Sequence, residues 1–338
     1  MIRETIDMLV SGNSLTMEQA AAVMEEIMSG EATPAQFAAF VTALRLKGET
    51  VHELAGMARV MRDKAVTVRA SGPVIDTCGT GGDASETFNI STTAAFVVAG
   101  AGLKVAKHGN RGMSSGCGSA DVLDALGVKV DLGAAEVERC LKEVGIGFMF
   151  APVFHPAMKY AAPSRREIGI RTVFNVLGPL TNPAGVQAQL LGVADEPLAL
   201  KMAEVLGLLG CGHALVVHGQ DGLDEVTLGA PTTVCELKGS EITRYTIEPQ
   251  EFGFSRVSMA SLRGGPPHES SEIVRRVLRG ESGAQRDVVL LNAAAALVAG
   301  DRAENMKRAL PIAAEVIDSG RALAKLDHLI ALSQSLQP

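Results

Sequence analysis

Two glycine-rich loops, each predicted to join a strand to a helix, hold the residues best suited to bind phosphate groups. The first reads Asp76-Thr-Cys-Gly-Thr-Gly-Gly-Asp83 and continues as Thr87-Phe-Asn-Ile-Ser-Thr92. Its glycines can turn backbone N–H groups toward one point, and the apolar run 94–98 predicts a helix that begins beside them. The spacing matches neither G-x-x-x-x-G-K-[ST] nor G-x-G-x-x-G, which argues against a P-loop NTPase and a dinucleotide-binding fold. The loop therefore indicates a phosphorylated ligand of a class other than those that these two folds bind.

The second loop reads Lys107-His-Gly-Asn-Arg-Gly-Met-Ser-Ser115 and continues toward a helix that begins near residue 120. Lys107 and Arg111 are two cations on a predicted flexible turn, and Ser114, Ser115 and Ser119 add hydroxyl groups before the helix. These groups suit a second phosphate. A single glycine-serine loop is more often a plain connection, but two loops between strands and helices favour a phosphate site.

A third motif, His218-Gly-Gln-Asp-Gly-Leu-Asp224-Glu225, follows an apolar strand. On a regular strand adjacent carboxylates point to opposite faces, whereas on a glycine-rich turn both can reach one cleft and hold a hard cation such as Mg²⁺. A solvated turn is the alternative, and the motif alone does not separate the two.

The first 66 residues are predicted to form a small all-helical domain. Three helix starts have the capping-box pattern, Thr16-x-x-Gln19, Thr33-x-x-Gln36 and Thr50-x-x-Glu53. In this pattern the Thr hydroxyl and the Gln or Glu side chain each bond a backbone N–H group that the helix leaves free. Apolar residues follow at helical spacing.

From residue 73 onward, short apolar strands alternate with helices. Strands are predicted at 74–76, 103–107, 128–131, 147–150, 189–193 and 214–218, with a hairpin at 234–237 and 242–247. Helices are predicted at 92–101, 120–126, 134–144, 196–209, 273–279 and 287–299, with a helical C-terminus over 303–336. The alternation predicts an α/β domain over 73–338 with a mainly parallel central sheet. The segment at about 160–184 breaks the alternation and is expected to pack back onto the helical domain.

The composition and net charge of the chain limit the kinds of molecule it is expected to bind. The chain has 338 residues, 47% of them hydrophobic, and a net charge of −7. An acidic chain argues against a nucleic-acid or anionic-membrane surface, so the ligand is expected to be small. The N-terminus has no signal-peptide pattern, and the longest apolar stretch, 288–300, is shorter than the roughly 20 residues that span a bilayer. The five cysteines form no C-x-x-C motif, which favours reduced thiols and a cytoplasmic location.

Taken in order, these motifs resemble the anthranilate phosphoribosyltransferase family. Gly118-Ser-Ala-Asp121, Arg165-Arg166, Gly169-Ile-Arg-Thr-Val-Phe-Asn175 and Gly178-Pro-Leu-Thr-Asn-Pro183 extend the resemblance over nearly the whole chain. It implies the second step of tryptophan biosynthesis, in which phosphoribosyl pyrophosphate (PRPP) donates its phosphoribosyl group to the anthranilate amine and pyrophosphate is released. It also implies a nucleoside phosphorylase type of fold, a homodimer and Mg²⁺ as cofactor, with two ions per monomer.

The resemblance also implies residue roles. PRPP would be bound by Gly79, Gly82, Asp83, Thr87, Asn89, Ile90, Ser91, Thr92, Lys107, His108, Gly109, Asn110, Arg111, Gly112, Met113, Ser114, Ser115 and Ser119. Anthranilate would be bound by Gly79, Asn110 and Arg165, and Mg²⁺ by Ser91, Asp224 and Glu225. Ala84 and Gly112-Met113 depart from the family's pattern at the loops, and for Arg165 a surface cation on a basic helix is the alternative.

The implied chemistry agrees with these residue types. Breaking the bond from ribose to pyrophosphate builds negative charge on the leaving group, so Mg²⁺ and aimed N–H dipoles would be the main catalytic device. The aniline nitrogen is a neutral nucleophile, so no general base is demanded and none is assigned. A structural or substrate-orienting role is expected for His108.

Two other classes of protein share parts of the pattern. Pyrimidine nucleoside phosphorylases have a similar Lys-His-Gly loop, but Asp224-Glu225 together with Asn110 argue against them. Non-enzymatic relatives that bind nucleic acid should carry a basic surface, and the net charge of −7 argues against that.

Overall fold

The structure is a computed structural model that describes residues 1–83, 85–112 and 116–336. Its N-terminal part is helical, as predicted, and contains α1 (Ile2–Val10), α2 (Met17–Met28), α3 (Pro34–Lys47) and α4 (Val51–Asp63). All the predicted capping boxes are confirmed, since the Thr side chain and the Gln or Glu side chain both bond backbone N–H groups at the starts of α2, α3 and α4. These bonds replace the partners that the first turn of a helix lacks, and so define where each helix begins.

The remainder of the chain is built around one 7-stranded sheet with strand order β3-β2-β1-β4-β5-β6-β7. The strands are β1 (Val74–Gly79), β2 (Lys104–Gly109), β3 (Ile146–Phe150), β4 (Ala188–Gly192), β5 (His213–Gly219), β6 (Thr232–Lys238) and β7 (Glu241–Ile247). β1 to β5 are parallel, whereas β5 pairs with β6 and β6 with β7 antiparallel. The predicted α/β class with a mainly parallel sheet is confirmed.

The other helices are α5 (Ile90–Gly100), α6 (Ser119–Leu126), α7 (Ala134–Glu143), α8 (Ala151–Phe154), α9 (Ala162–Ile168), α10 (Phe174–Leu177), α11 (Glu196–Leu208), α12 (Pro267–Leu278), α13 (Ala284–Ala299), α14 (Met306–Asp318) and α15 (Arg321–Ser335). They pack around the sheet or, in the case of α9 and α10, against the N-terminal helices. The C-terminus is two helices because Gly320 adopts a left-handed conformation (φ 76°) between them. Among the described residues, no helix has the length and apolar composition that a membrane span requires.

The prediction of a strand at 128–131 is wrong. This segment leaves α6 as an extended loop, and Val128 and Val130 are buried in the same core as residues of α15. The N–H of Lys129 donates to Oγ of Ser333 (3.1 Å) instead of to a neighbouring strand. Alternating burial against a helix therefore has the same sequence pattern as a half-buried strand.

The segment that follows β3 contacts the helical part of the chain. The ring centroids of Phe37 in α3 and Phe174 in α10 are 5.5 Å apart. Arg62 of α4 donates from Nε to the carbonyl of Leu180 (2.6 Å) and from Nη1 to the carbonyl of Leu209 (3.1 Å). The segment therefore lies between the helices and the sheet, and forms one wall of a cleft.

Candidate active site

The carboxyl ends of β1 and β2 open into a cleft of about 1030 Å³. Open α/β sheets bind their ligands at this edge. Every described residue that the sequence analysis placed in the site lines the cleft: Gly79, Gly82, Asp83, Thr87, Asn89, Ile90, Ser91, Thr92, Lys107, His108, Gly109, Asn110, Arg111, Gly112, Ser119, Arg165, Asp224 and Glu225. Ala84, Met113, Ser114 and Ser115 lie outside the described residues.

The first glycine loop connects β1 to the N-terminus of α5. Gly81 (φ 65°) and Gly82 (φ 80°) both adopt left-handed conformations, which glycine adopts without strain. The N–H of Gly81 donates to Oδ2 of Asp224 (2.7 Å), and the N–H of Ser91 donates to Oε1 of Glu225 (3.1 Å). The carboxylate pair therefore lies directly against the amides of the loop and of the helix start, so the turn that carries it belongs to the cleft.

The carboxylates at this point repel one another. Desolvation raises the pKa of Asp224 well above its ordinary value, and the charges of Asp83 and Glu225 raise it further. Burial raises the pKa of Glu225 to about 7 even though the nearby Lys107 opposes the shift. A divalent cation beside these groups would relieve both effects.

The donor set fits Mg²⁺. Carboxylate oxygens from Asp224 and Glu225 are hard ligands, and Mg²⁺ keeps several waters and substrate oxygens in its shell, so it does not need a complete protein cage. Such a cage is absent from the described part of the chain, where no group of three or more His, Cys, Asp or Glu side chains is placed to enclose a metal ion.

Lys107 does not lie on a flexible turn, contrary to the sequence analysis. It belongs to β2, which pairs with β3 as far as Gly109, and its side chain is buried. Its Nζ donates to the carbonyl of Thr77 in β1. The sheet therefore fixes one positive charge in the floor of the cleft.

Arg111 lies on the second loop, as predicted, but its guanidinium is already engaged. Nη1 and Nη2 pair with Asp121 (2.9 Å) and Asp124 (3.1 Å), and the group also lies 5.6 Å from the ring centroid of Phe150. These contacts hold the arginine against α6.

Two histidines lie side by side in the cleft wall. The ring centroids of His108 and His155 are 5.0 Å apart, and Nε2 of each is buried without a hydrogen-bond partner among the described residues. Burial lowers the pKa of His108 to about 3 and that of His155 to about 4. Both imidazoles are therefore neutral near pH 7. His155 was missed by the sequence analysis, because a lone His-Pro pair carries no recognisable signal.

Arg165 projects from α9 into the cleft, and its guanidinium lies 5.1 Å from the ring centroid of Phe174. It is half-buried, and burial lowers its pKa. No described carboxylate lies within ion-pair distance of it. A half-buried cation of this kind suits an anionic ligand.

Arg171 is a further cleft residue to which the sequence analysis gave no role. Its Nη2 donates to the carbonyl of Gly81 (3.0 Å), so the segment after α9 holds the first loop. The only signal in the sequence was its place in the Gly169-to-Asn175 motif.

The fold and the cleft define a two-domain glycosyl transferase. Residues 3–65 match the model of the glycosyl transferase family's helical bundle domain, and residues 71–323 match that of its a/b domain. The chain is 57% identical over 338 residues to the anthranilate phosphoribosyltransferase of Dehalococcoides mccartyi, covering 99% of each. It is 59% identical over 335 residues to that of Chloroflexus aggregans, covering 98% of each. The chain thus belongs to the anthranilate phosphoribosyltransferase family, as the resemblance predicted.

Similar solved structures support the same family assignment. The anthranilate phosphoribosyltransferase from Thermus thermophilus is similar with a TM-score of 0.93 and 43% identity, over 98% of this chain and 99% of that one. The Saccharomyces cerevisiae enzyme, solved in complex with PRPP and Mg, is similar with a TM-score of 0.91 and 29% identity, over 99% of this chain and 98% of that one.

Proposed function

We propose that this chain transfers the phosphoribosyl group of PRPP to the amine of anthranilate and releases pyrophosphate. The observation that carries the proposal is the convergence in one cleft of two glycine loops, the Asp224-Glu225 pair and a half-buried cation, Arg165. The names of the full-length relatives, and the PRPP and Mg bound in the yeast structure, support the same reaction.

On the donor side, we assign PRPP to the two glycine loops. Mg²⁺ would be held by Asp224, Glu225 and Ser91, with two ions per monomer, and would neutralise the charge that develops on the leaving pyrophosphate. The chain's own contribution is in place before the substrate arrives: the sheet holds the positive charge of the buried Lys107 in the floor of the cleft, and the loop amides hold the carboxylate pair that would bind the metal.

On the acceptor side, we assign the anthranilate carboxylate to Arg165, with Gly79 and Asn110 lining the same pocket. The aniline nitrogen needs no proton removed before it attacks. The lowered pKa values of His108 and His155 make both rings weak bases, so we assign them to orienting the acceptor rather than to general base catalysis.

The direct test is to mix the protein with PRPP, Mg²⁺ and anthranilate and follow the loss of anthranilate fluorescence. We expect the signal to fall only when all three are present. A flat trace, beside an active control enzyme, would contradict the proposal. Phosphorolysis of pyrimidine nucleosides by the same preparation would favour the nucleoside phosphorylase class instead.

We also propose a homodimer in the cytoplasm. The helical domain and the adjoining α11 expose large apolar side chains, with exposed fractions of 73% for Val10, 82% for Leu46 and 49% for Leu208. A self-complementary interface between two copies would cover such a surface. All five cysteines are free, which agrees with a reducing compartment. Light scattering that gives a monomer at micromolar concentration would contradict the dimer.

We divide the chain into a helical domain of residues 1–66, joined by about 160–184, and an α/β domain of 73–338. Burial of Val173, Phe174 and Leu177 in the same core as the N-terminal helices supports this division. Limited proteolysis should cut first between these units.

A further inference from the structure

The second glycine loop is closed at its base, between the end of β2 and the start of α6. We call this base the neck; its two arms are residues 110–112 and 118–121. On one side, the carbonyl of Asn110 accepts hydrogen bonds from the N–H of Ala120 (3.1 Å) and from Oγ of Ser119 (3.3 Å). On the other side, Oδ2 of Asp121 accepts from the N–H of Gly112 (2.8 Å) and from the N–H of Gly118 (2.9 Å). A single carboxylate oxygen thus joins the start and the end of the loop.

The two arms of the neck are in backbone contact. A Cβ atom at Gly118 would lie 2.3 Å from the N of Gly112 and 2.6 Å from the O of Asn110, distances that no side chain tolerates. Gly118 is therefore required for the close approach. Because the amides of both arms converge on Asp121, they are aligned only while that carboxylate is in place.

The other carboxylate oxygen of Asp121 is also engaged. Oδ1 accepts from Nη1 of Arg111 (2.9 Å), so all three donors around the side chain are N–H groups. An asparagine offers one oxygen and one NH₂ group. In either orientation its NH₂ would face a donor, so an amide in place of the carboxylate breaks part of the arrangement.

We propose that Asp121 is the positioning residue for phosphate binding on the second loop. Its charge holds Gly112, Gly118 and Arg111 in one geometry, and this geometry positions the described ends of the loop to which the proposed function assigns phosphate groups of PRPP. The inference rests on the proposed function, since it concerns the same donor substrate, but it assigns the positioning of Gly112, Gly118 and Arg111 to a side chain that need not touch the ligand.

The neighbouring Asp124 provides a matched control. It pairs with the same guanidinium through Nη2 of Arg111 (3.1 Å), and it is exposed, with no bond to the loop backbone among the described residues. Asp124→Asn removes one negative charge from the same helix while leaving the neck intact. The difference between the two variants isolates the bonds to Gly112 and Gly118.

The experiment is calorimetric titration of PRPP with Mg²⁺ into the native protein, Asp121→Asn and Asp124→Asn, followed by steady-state kinetics. We expect Asp121→Asn to weaken PRPP binding by roughly tenfold to a hundredfold, the usual effect of losing hydrogen bonds to a charged group. At saturating PRPP, kcat and the KM for anthranilate should stay within about twofold of native. Asp124→Asn should bind PRPP within about twofold of native.

Equal PRPP affinities for the two variants would overturn the inference, as would a loss of kcat with unchanged affinity. If Asp121→Asn does not fold, amide hydrogen exchange in the native protein decides instead. The inference requires protected amides at Gly112 and Gly118 without ligand, and rapid exchange at both would overturn it. A native protein that fails to bind PRPP at all would contradict the proposed function. That outcome is distinct from the outcomes that overturn the role of Asp121.

Discussion

The buried pair of His108 and His155 should make the protein lose stability as the pH falls below the ordinary pKa of histidine. Both rings are buried, and Nε2 of each has no partner among the described residues. A proton on either ring would therefore place a charge where little compensates it. The folded protein resists protonation, whereas the unfolded chain does not.

The pKa values set the size of the effect. Burial lowers the pKa from 6.5 to about 3 for His108, and from 6.5 to about 4 for His155. Above about pH 6.5 neither state binds the proton and the full stability is present. Below it only the unfolded state does, so each ring lowers the free energy of unfolding by about 1.4 kcal/mol per pH unit, or about 2 kcal/mol near pH 5.

The assay is urea unfolding at about pH 7.5 and about pH 5 for the native protein, His155→Gln and His52→Gln. His52 is exposed on α4 and serves as the control. Between these pH values we expect the free energy of unfolding of His155→Gln to fall by about 2 kcal/mol less than that of the other two proteins. This difference does not depend on how stable the variant is at the higher pH. An equal loss in all three would refute the reasoning and mean that His155 is charged in the folded protein near pH 5.

Three further variants test the assignment of the cleft. Arg165→Ala should raise the KM for anthranilate about tenfold or more and leave the KM for PRPP nearly unchanged, as two-substrate kinetics would measure; equal effects on both would make the arginine structural. Gly82→Ala should weaken PRPP binding at least about tenfold in a calorimetric titration, because a Cβ there would lie 1.1 Å from Nη1 of Arg171 and φ is 80°. Asp224→Asn combined with Glu225→Gln should keep the fold by circular dichroism but lower the rate by about 10²-fold and raise the Mg²⁺ required; an unchanged Mg²⁺ titration would contradict a metal role.

The sequence alone determined the features that depend on neighbours along the chain. The capping boxes at Thr16, Thr33 and Thr50 are satisfied within four residues, so their pattern is sufficient to predict where a helix begins. Glycines in left-handed conformations, such as Gly81 and Gly82, likewise reveal a loop because few other residues adopt that backbone. Strand and helix alternation then predicted the mainly parallel sheet.

Only the tertiary structure decided the features that depend on distant partners. The core around 128–131 is completed by α15 rather than by a strand, and the sequence pattern is the same in either case. Pairing with β3 extends β2 far enough to bury Lys107, which makes it a fixed charge instead of a mobile one. His155 and Arg171 enter the cleft because the segment after β3 folds back, which brings His155 against His108 of β2 and Arg171 against the first loop. Burial and long-range pairing set these positions and the pKa values that follow from them, and neither is encoded in the local spacing of residues.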